Sequence, residues 1–389
     1  MDTRDLMRGA PPRPKAQVTL ANWRDAPFNR WGFRNVRQVL PTARIRRAPR
    51  AWDLAAGAEP VDRIAVPGHG TFGDVLAATY TDACVVLHRG RRVFERYDDG
   101  MAEDDRHILF SVTKSVAATL AGALVASGAL DPDAPVPHYI PEVQGSAYGG
   151  ATVRHVLDMS VGIRFVEDYT DTTGDFARYR EATAWNPVTD PARASDLRTF
   201  LLTLKPEGRH GEAFHYVSPN TDLLGWILER ASGERFATLL ERHLWVPMGA
   251  EFEADIAVDR LGAARAAGGL CATARDLARF GQMVLQHGVA EGCQVIPAAW
   301  IDDIRANGDA AAWARGSKWM PGGRYRSKWY VLPGARGAFC GIGIHGQWLY
   351  LDPAAAIVIA KFSSDPAASA DAKDDLHVAA FDAVARTFG

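Results

Sequence analysis

Cysteine is scarce, with 4 in 389 residues. Cys84, Cys271, Cys293 and Cys340 lie far apart and form no CxxC pair, which excludes a disulfide scaffold and a zinc knuckle and fits free thiols in a reducing compartment. Long apolar runs are missing as well. The most apolar stretch, from Val116 to Leu130, falls short of the ~20 residues a membrane span needs and contains Thr119, Gly122, Ser127 and Gly128, so a buried core helix is expected there. The opening MDTRDLMRGAPPRPKAQ holds no apolar segment of the length a secretory signal requires, so export is not expected and the protein is placed in the cytoplasm. Neither sign of charge dominates: Lys plus Arg number 44 and Asp plus Glu 46, a net of −2. That balance leaves no general footprint for nucleic acid or an anionic membrane. Internal repeats are absent, and low complexity is confined to AGAE and DPAASADAKDD.

What is present is ordinary globular composition, 47% hydrophobic and 23% charged with 36 Gly and 22 Pro, on a chain long enough for a large core. ACVVLHRGRRVFERY reads as two strands around a turn at Gly90. The apolar helix follows, starting close to Phe110 or Ser111 and ending near Gly128. VRHVLDM, DLRTFLLTL, NTDLLGWILERASG and RFATLLERHLW show helical spacing, as do TARDLARFGQMVLQHG and IPAAWIDDIRA. The last part alternates strand and turn through KWYVLPG, GIGIHGQWLYLDP and AAIVIAKFSS, then closes with the helix DLHVAAFDAVARTF. Strands at both ends of a helical middle predict one antiparallel sheet flanked by helices, an α/β (α+β) fold. The expected division is an N-terminal arm at 1–30, a discontinuous α/β region at 31–115 and 265–389, and a mainly helical subdomain at 116–264, together one catalytic domain.

Three motif matches carry little chemistry. GHGTFG satisfies GxGxxG but lacks the preceding strand and the βαβ unit, so a glycine-rich loop is the better reading. HGEAFH sets its histidines five apart across a glycine, where a zinc helix needs them one turn apart. DMSVG lacks the first glycine of GxSxG and the strand of a nucleophile elbow, which leaves Ser160 in the turn ending a helix. The segment Phe110-Ser111-Val112-Thr113-Lys114 is different. Ser111 and Lys114, three apart at the start of an apolar helix, share one face. A lysine among apolar neighbours loses charge through desolvation and can then take the serine's proton as attack begins. Alone, SxxK is also compatible with a capping serine and a surface lysine.

Further on stand Phe214-His215-Tyr216-Val217-Ser218-Pro219-Asn220 and Gly341-Ile342-Gly343-Ile344-His345-Gly346. With SxxK, these resemble the three ordered signatures SxxK, YxN and KTG of the serine β-lactamase and penicillin-binding protein superfamily. Tyr216-Val217-Ser218 falls in the second slot and Gly341-Ile342-Gly343 in the third. The likeness is closer to the nylon-oligomer (6-aminohexanoate-dimer) hydrolases and related carboxylesterases. NRWGFRNV, YTDACVVLHRG, DDRHILFSVTKS, EDYTD, YVSPNTD, GGLCATARDLARFG and GIGIHGQWLYLDP carry it over most of the chain. Ser218 replaces the usual asparagine, and the third motif has no lysine; both depart from β-lactamases and suit the hydrolase and esterase branch. Ala267 stands where a polar asparagine is looked for in the nylon hydrolases, which argues against efficient nylon-dimer cleavage.

The resemblance implies a β-lactamase/transpeptidase-like fold and a serine hydrolase acting on short-chain esters and small linear amides through a Ser111 acyl-enzyme. Lys114 would be the base, Tyr216 the proton relay to the leaving group, and the Ser111 and Ile344 N–H groups the oxyanion hole. Tyr169, Trp185, Ser218, Ala267 and His345 would contact substrate, His345 being structural or substrate-facing and not the base. Neither a metal nor an organic cofactor is expected. The partner would be a small ester or amide, with no nucleic acid or membrane and with a homodimer left open. Two other readings stand beside this one: a β-lactamase or D-alanyl-D-alanine peptidase, and an inactive penicillin-recognising or scaffolding protein.

Overall fold

The computed structural model describes residues 3–369 and 371–389. Its centre is a seven-stranded antiparallel sheet in the order Arg324–Arg326, Trp329–Val331, Phe339–Gly343, Gln347–Asp352, Ile357–Ser363, Thr81–His88, Arg91–Tyr97. The last strand pairs with the first of the long strands, Val358 opposite Leu87 and Ala360 opposite Val85. The chain therefore closes on itself, with everything between residues 98 and 323 inserted between neighbouring parts of one sheet.

Both faces of this sheet are covered, which explains why CVVL and IVIA are apolar at every position instead of alternating. Ala83, Val85 and Leu87 point to one side, with Val358, Ala360 and Phe362, into the core shared by helices Val112–Ala126 and Ala274–Leu285. Cys84 and Val86 point to the other, with Ile357 and Ile359, under Phe381 and Val384 of the C-terminal helix Asp371–Phe388. Thr273 caps helix Ala274–Leu285 by accepting from Asp276 N, and Gly233, at φ 74°, ends helix Pro219–Ser232 in the left-handed conformation that glycine takes without penalty.

The sequence reading of a single sheet is incomplete. A second antiparallel sheet runs Thr42–Ile45, Ala254–Ala257, Leu270–Ala272, His107–Ile108. Its strands span two to four residues each, too short for a period-two pattern to show. It delivers His107 and Ile108 directly to the turn before Ser111.

The N-terminal segment packs on the fold through its few apolar residues. Leu6, Val18, Trp23 and Phe33 are buried in a cluster with Phe110 and Trp185. Its polar composition hid this, because the few apolar residues are isolated in sequence and meet only against the rest of the fold. Cys84, Cys271 and Cys340 are buried and Cys293 is exposed, all unpaired. Among the described residues no helix is long and apolar enough to cross a membrane.

Candidate active site

Helix Val112–Ala126 begins immediately after Ser111. The residue before it, Phe110, has φ 43°, a left-handed conformation that costs a bulky side chain about 1–3 kcal/mol and persists only where the surroundings enforce it. Here they do. The Phe110 ring is stacked on Trp23 and meets Phe33, Trp185 and His345 at centroid distances between 4.9 and 6.3 Å. The sharp turn projects Ser111 into a cleft while its own backbone enters the helix.

Lys114, one turn on, is 1% exposed. Its Nζ lies 2.7 Å from Ser111 Oγ and 2.6 Å from the main-chain oxygen of Ala267. Burial lowers its pKa to about 7, against the opposing pull of Glu167 and Asp222 and with the repulsion of Arg265. Both carboxylates are already occupied. Glu167 accepts from Ser218 N at 2.6 Å, Ser218 Oγ at 2.9 Å and Tyr169 Oη at 2.6 Å. Asp222 accepts from Arg265, Tyr179 Oη and Ala267 N, so the residue whose oxygen holds Lys114 is itself held at its N–H. Near pH 7 a large share of Lys114 is therefore the free amine, whose lone pair can accept the Ser111 hydroxyl proton.

Tyr216 is brought to the same point. It lines one cleft with Ser111 and Tyr330, and burial, with Glu167 nearby, holds its pKa far above that of free tyrosine. It therefore stays a neutral phenol, a proton donor. Lys114 Nζ lies 5.1 Å from the centre of its ring. On the opposite wall, a Cβ added to Gly343 would sit 2.6 Å from Leu109 O and 3.0 Å from Ser111 N. Only glycine lets that strand come so close to the nucleophile's backbone, and Ile344 follows directly.

Two cavities meet at Ser111, sharing Glu167, Tyr169 and Ile344 as wall. An outer cleft of 440 Å³ runs past Tyr216, Tyr330 and Trp319 toward Lys373. A tight inner pocket of 20 Å³ lies among Trp185, Ser218, Ala267 and the arginines Arg24, Arg180 and Arg265. Ser111, Lys114, Tyr216, Ser218, Tyr169, Trp185, Ala267 and Ile344 are thus gathered in one place. The part Ala267 plays differs from the sequence reading, for its main-chain oxygen and N–H hold the network while its side chain is only a methyl. His345 is set apart. It lines neither cavity; its ring packs on Phe33 and Phe110, its Nδ1 lies 2.7 Å from Asp365 O, and burial lowers its pKa to about 4. It braces the turn that follows Ile344.

Glu167, Asp222 and Arg265 escaped the sequence reading. Asp222 had a signal, a carboxylate opening the apolar run TDLLGWIL. Glu167 and Arg265 sit in loops where nothing local marks them.

A three-layered fold with a serine, a buried lysine and a tyrosine converging on one cleft defines a serine acyl-transfer enzyme. Residues 74–383 match the family model described as Beta-lactamase; the chain belongs to that family and is a serine hydrolase. It is 41% identical over 354 residues, 90% of this chain and 89% of the relative, to a 6-aminohexanoate-dimer hydrolase of Paenarthrobacter ureafaciens. A presumed 6-aminohexanoate-dimer hydrolase from Bacillus anthracis superposes with a TM-score of 0.87 at 27% identity, covering 96% of this chain and 98% of that one. A family VIII carboxylesterase shares the fold, with a TM-score of 0.60 at 16% identity over 83% of this chain and 98% of the other.

The lysine's environment fixes a pH dependence. With Lys114 as the proposed base, kcat/KM for an activated ester should rise from acid and level off with an apparent pKa near 7, the value to which burial lowers this amine. Lys114→Arg, which stays protonated, should lose that limb along with most turnover. Lys361 is also lowered to about 7, so a limb surviving in the residual activity of Lys114→Arg would shift the assignment to another group.

Proposed function

We propose that this protein hydrolyses short-chain esters and small linear amides, of the size of 6-aminohexanoate oligomers, through an acyl-enzyme on Ser111. The observation that carries the reading is the buried Lys114 amine, 2.7 Å from Ser111 Oγ and, among the described residues, in no ion pair. Ser111 Oγ attacks the carbonyl carbon as its proton passes to Lys114. The oxyanion is received by the N–H groups of Ser111 and Ile344, which the close approach at Gly343 supports. The new Lys114 ammonium is stabilised by Glu167 and Asp222, both of which favour its charged form. Tyr216 then gives its proton to the departing alcohol or amine and regains one from Lys114. Water enters, loses a proton by the same route in reverse, and releases the acid and free Ser111.

Cytoplasmic residence belongs to the same reading, and sedimentation would tell a monomer from the homodimer. Ser111→Ala should reduce ester turnover by ~10⁴ to 10⁶ while leaving the folded state intact. Mass spectrometry after a brief ester pulse should find the acyl group on the Ser111 peptide; label on another serine would overturn the assignment.

Tyr216 should matter according to the leaving group. An amine must be protonated to depart, whereas 4-nitrophenolate leaves unaided. Tyr216→Phe should therefore lose more kcat/KM on an amide than on a 4-nitrophenyl ester with the same acyl group. Equal losses would assign Tyr216 to the activation of Ser111 instead.

A further inference from the structure

The inner pocket carries positive charge that the reaction does not use. Of the arginines lining it, Arg265 is neutralised by Asp222. Arg24 and Arg180 are not: among the described residues neither forms a salt bridge. Arg24 donates to the Asn186 side-chain oxygen, and Arg180 to the main-chain oxygens of Tyr169 and Asp171. The Nε atoms of both are buried with no hydrogen-bond partner. So is the indole Nε1 of Trp185, a residue only 4% exposed that lines the same pocket. Burial, and Arg180 next after it, lowers the pKa of Arg24 to about 10, which leaves it charged at neutral pH. Carboxylates favour the charge of the pair from a distance, Asp25 for Arg24 and Asp171, Asp168 and Asp25 for Arg180, but among the described residues none forms an ion pair with either. Glu167 is taken up by Ser218 and Tyr169, Asp168 by Thr170, and Asp171 by the N–H groups of Thr173, Gly174 and Phe176.

Two adjacent, partly exposed guanidinium groups whose buried Nε donors are unused, beside a buried indole N–H without a partner, are costly to maintain without an anion between them. The direction of the substrate follows from Tyr216. Tyr216 lines the outer cleft and not the inner pocket, so a leaving group protonated by it departs outward and the acyl chain runs inward, toward the arginines. We infer that the inner pocket binds a carboxylate at the far end of the acyl chain, making half-esters and half-amides of short dicarboxylic acids the preferred substrates. The inference rests on the acyl-enzyme reading above and narrows it. An acyl chain ending in an ammonium, as in the acyl half of a 6-aminohexanoate dimer, would meet two like charges. A carboxylate meets donors suited to bidentate pairing.

The test compares 4-nitrophenyl esters of matched length: the adipate half-ester, the hexanoate ester and the 6-aminohexanoate ester. In wild type, kcat/KM for the half-ester should exceed that for the amino ester by about tenfold or more. Arg180→Asp should invert this ratio, and Arg24→Gln should shrink it. A wild-type preference for the amino ester, or a ratio unmoved by Arg180→Asp, overturns the inference. A second readout needs no turnover: adipate should raise the Tm of Ser111→Ala, and the shift should vanish when Arg180→Asp is added. A Tm shift indifferent to Arg180 overturns the inference as well. If wild type fails to cleave even the hexanoate ester while the Arg180-dependent Tm shift stands, the hydrolase reading has failed and the anion site has not.

Discussion

The site depends on one constraint, a lysine buried without an ion pair among the described residues. Desolvation disfavours its charge, and the usual remedy, an adjacent carboxylate, is withheld although two lie near. Glu167 and Asp222 each spend their oxygens on other donors, Ser218 and Tyr169 for the first, Arg265, Tyr179 and the Ala267 peptide for the second. They remain close enough to favour the ammonium without pairing with it. The lysine is thus poised between its two forms, as the proposed exchange of a proton with Ser111 and the leaving group requires.

Much of the fold serves to hold that arrangement. The left-handed turn at Phe110 is enforced by aromatic rings from the N-terminal segment, from the loop at Trp185 and from the His345 turn. The second sheet ends at Ile108, and Leu109 N donates to Leu270 O, so the turn is anchored on the strand that follows Ala267. Gly343 brings the last part of the main sheet against the nucleophile from the other side. Segments distant in sequence therefore fix both ends of the Ser111–Lys114 pair.

What could be read in the sequence was what local pattern expresses. The hairpin around Gly90, the apolar helix after Ser111 and the strands near the end all obey simple periodicities. Ser111, Lys114 and Tyr216 stand in short motifs whose chemistry is local. The second sheet was invisible because its strands are shorter than any period. Trp23 and Phe33 sit among polar neighbours, and only the tertiary fold shows what they brace. Ala267 lines the inner pocket and also holds the network through its main-chain N–H and oxygen, groups every residue has, so no side-chain signal could show the second part. Arg24 and Arg180 lie more than 150 residues apart and share a pocket that no spacing rule could suggest.

The neutral amine at Lys114 is the central claim, and ¹⁵N-lysine NMR titration of the resting enzyme measures it directly, the Lys114 signal being assigned by its loss in Lys114→Ala. A side-chain nitrogen titrating near pH 7 is the predicted result, in keeping with the value to which burial lowers it. A Lys114 signal that stays protonated until about pH 10, as an unperturbed lysine does, would contradict the account at its base.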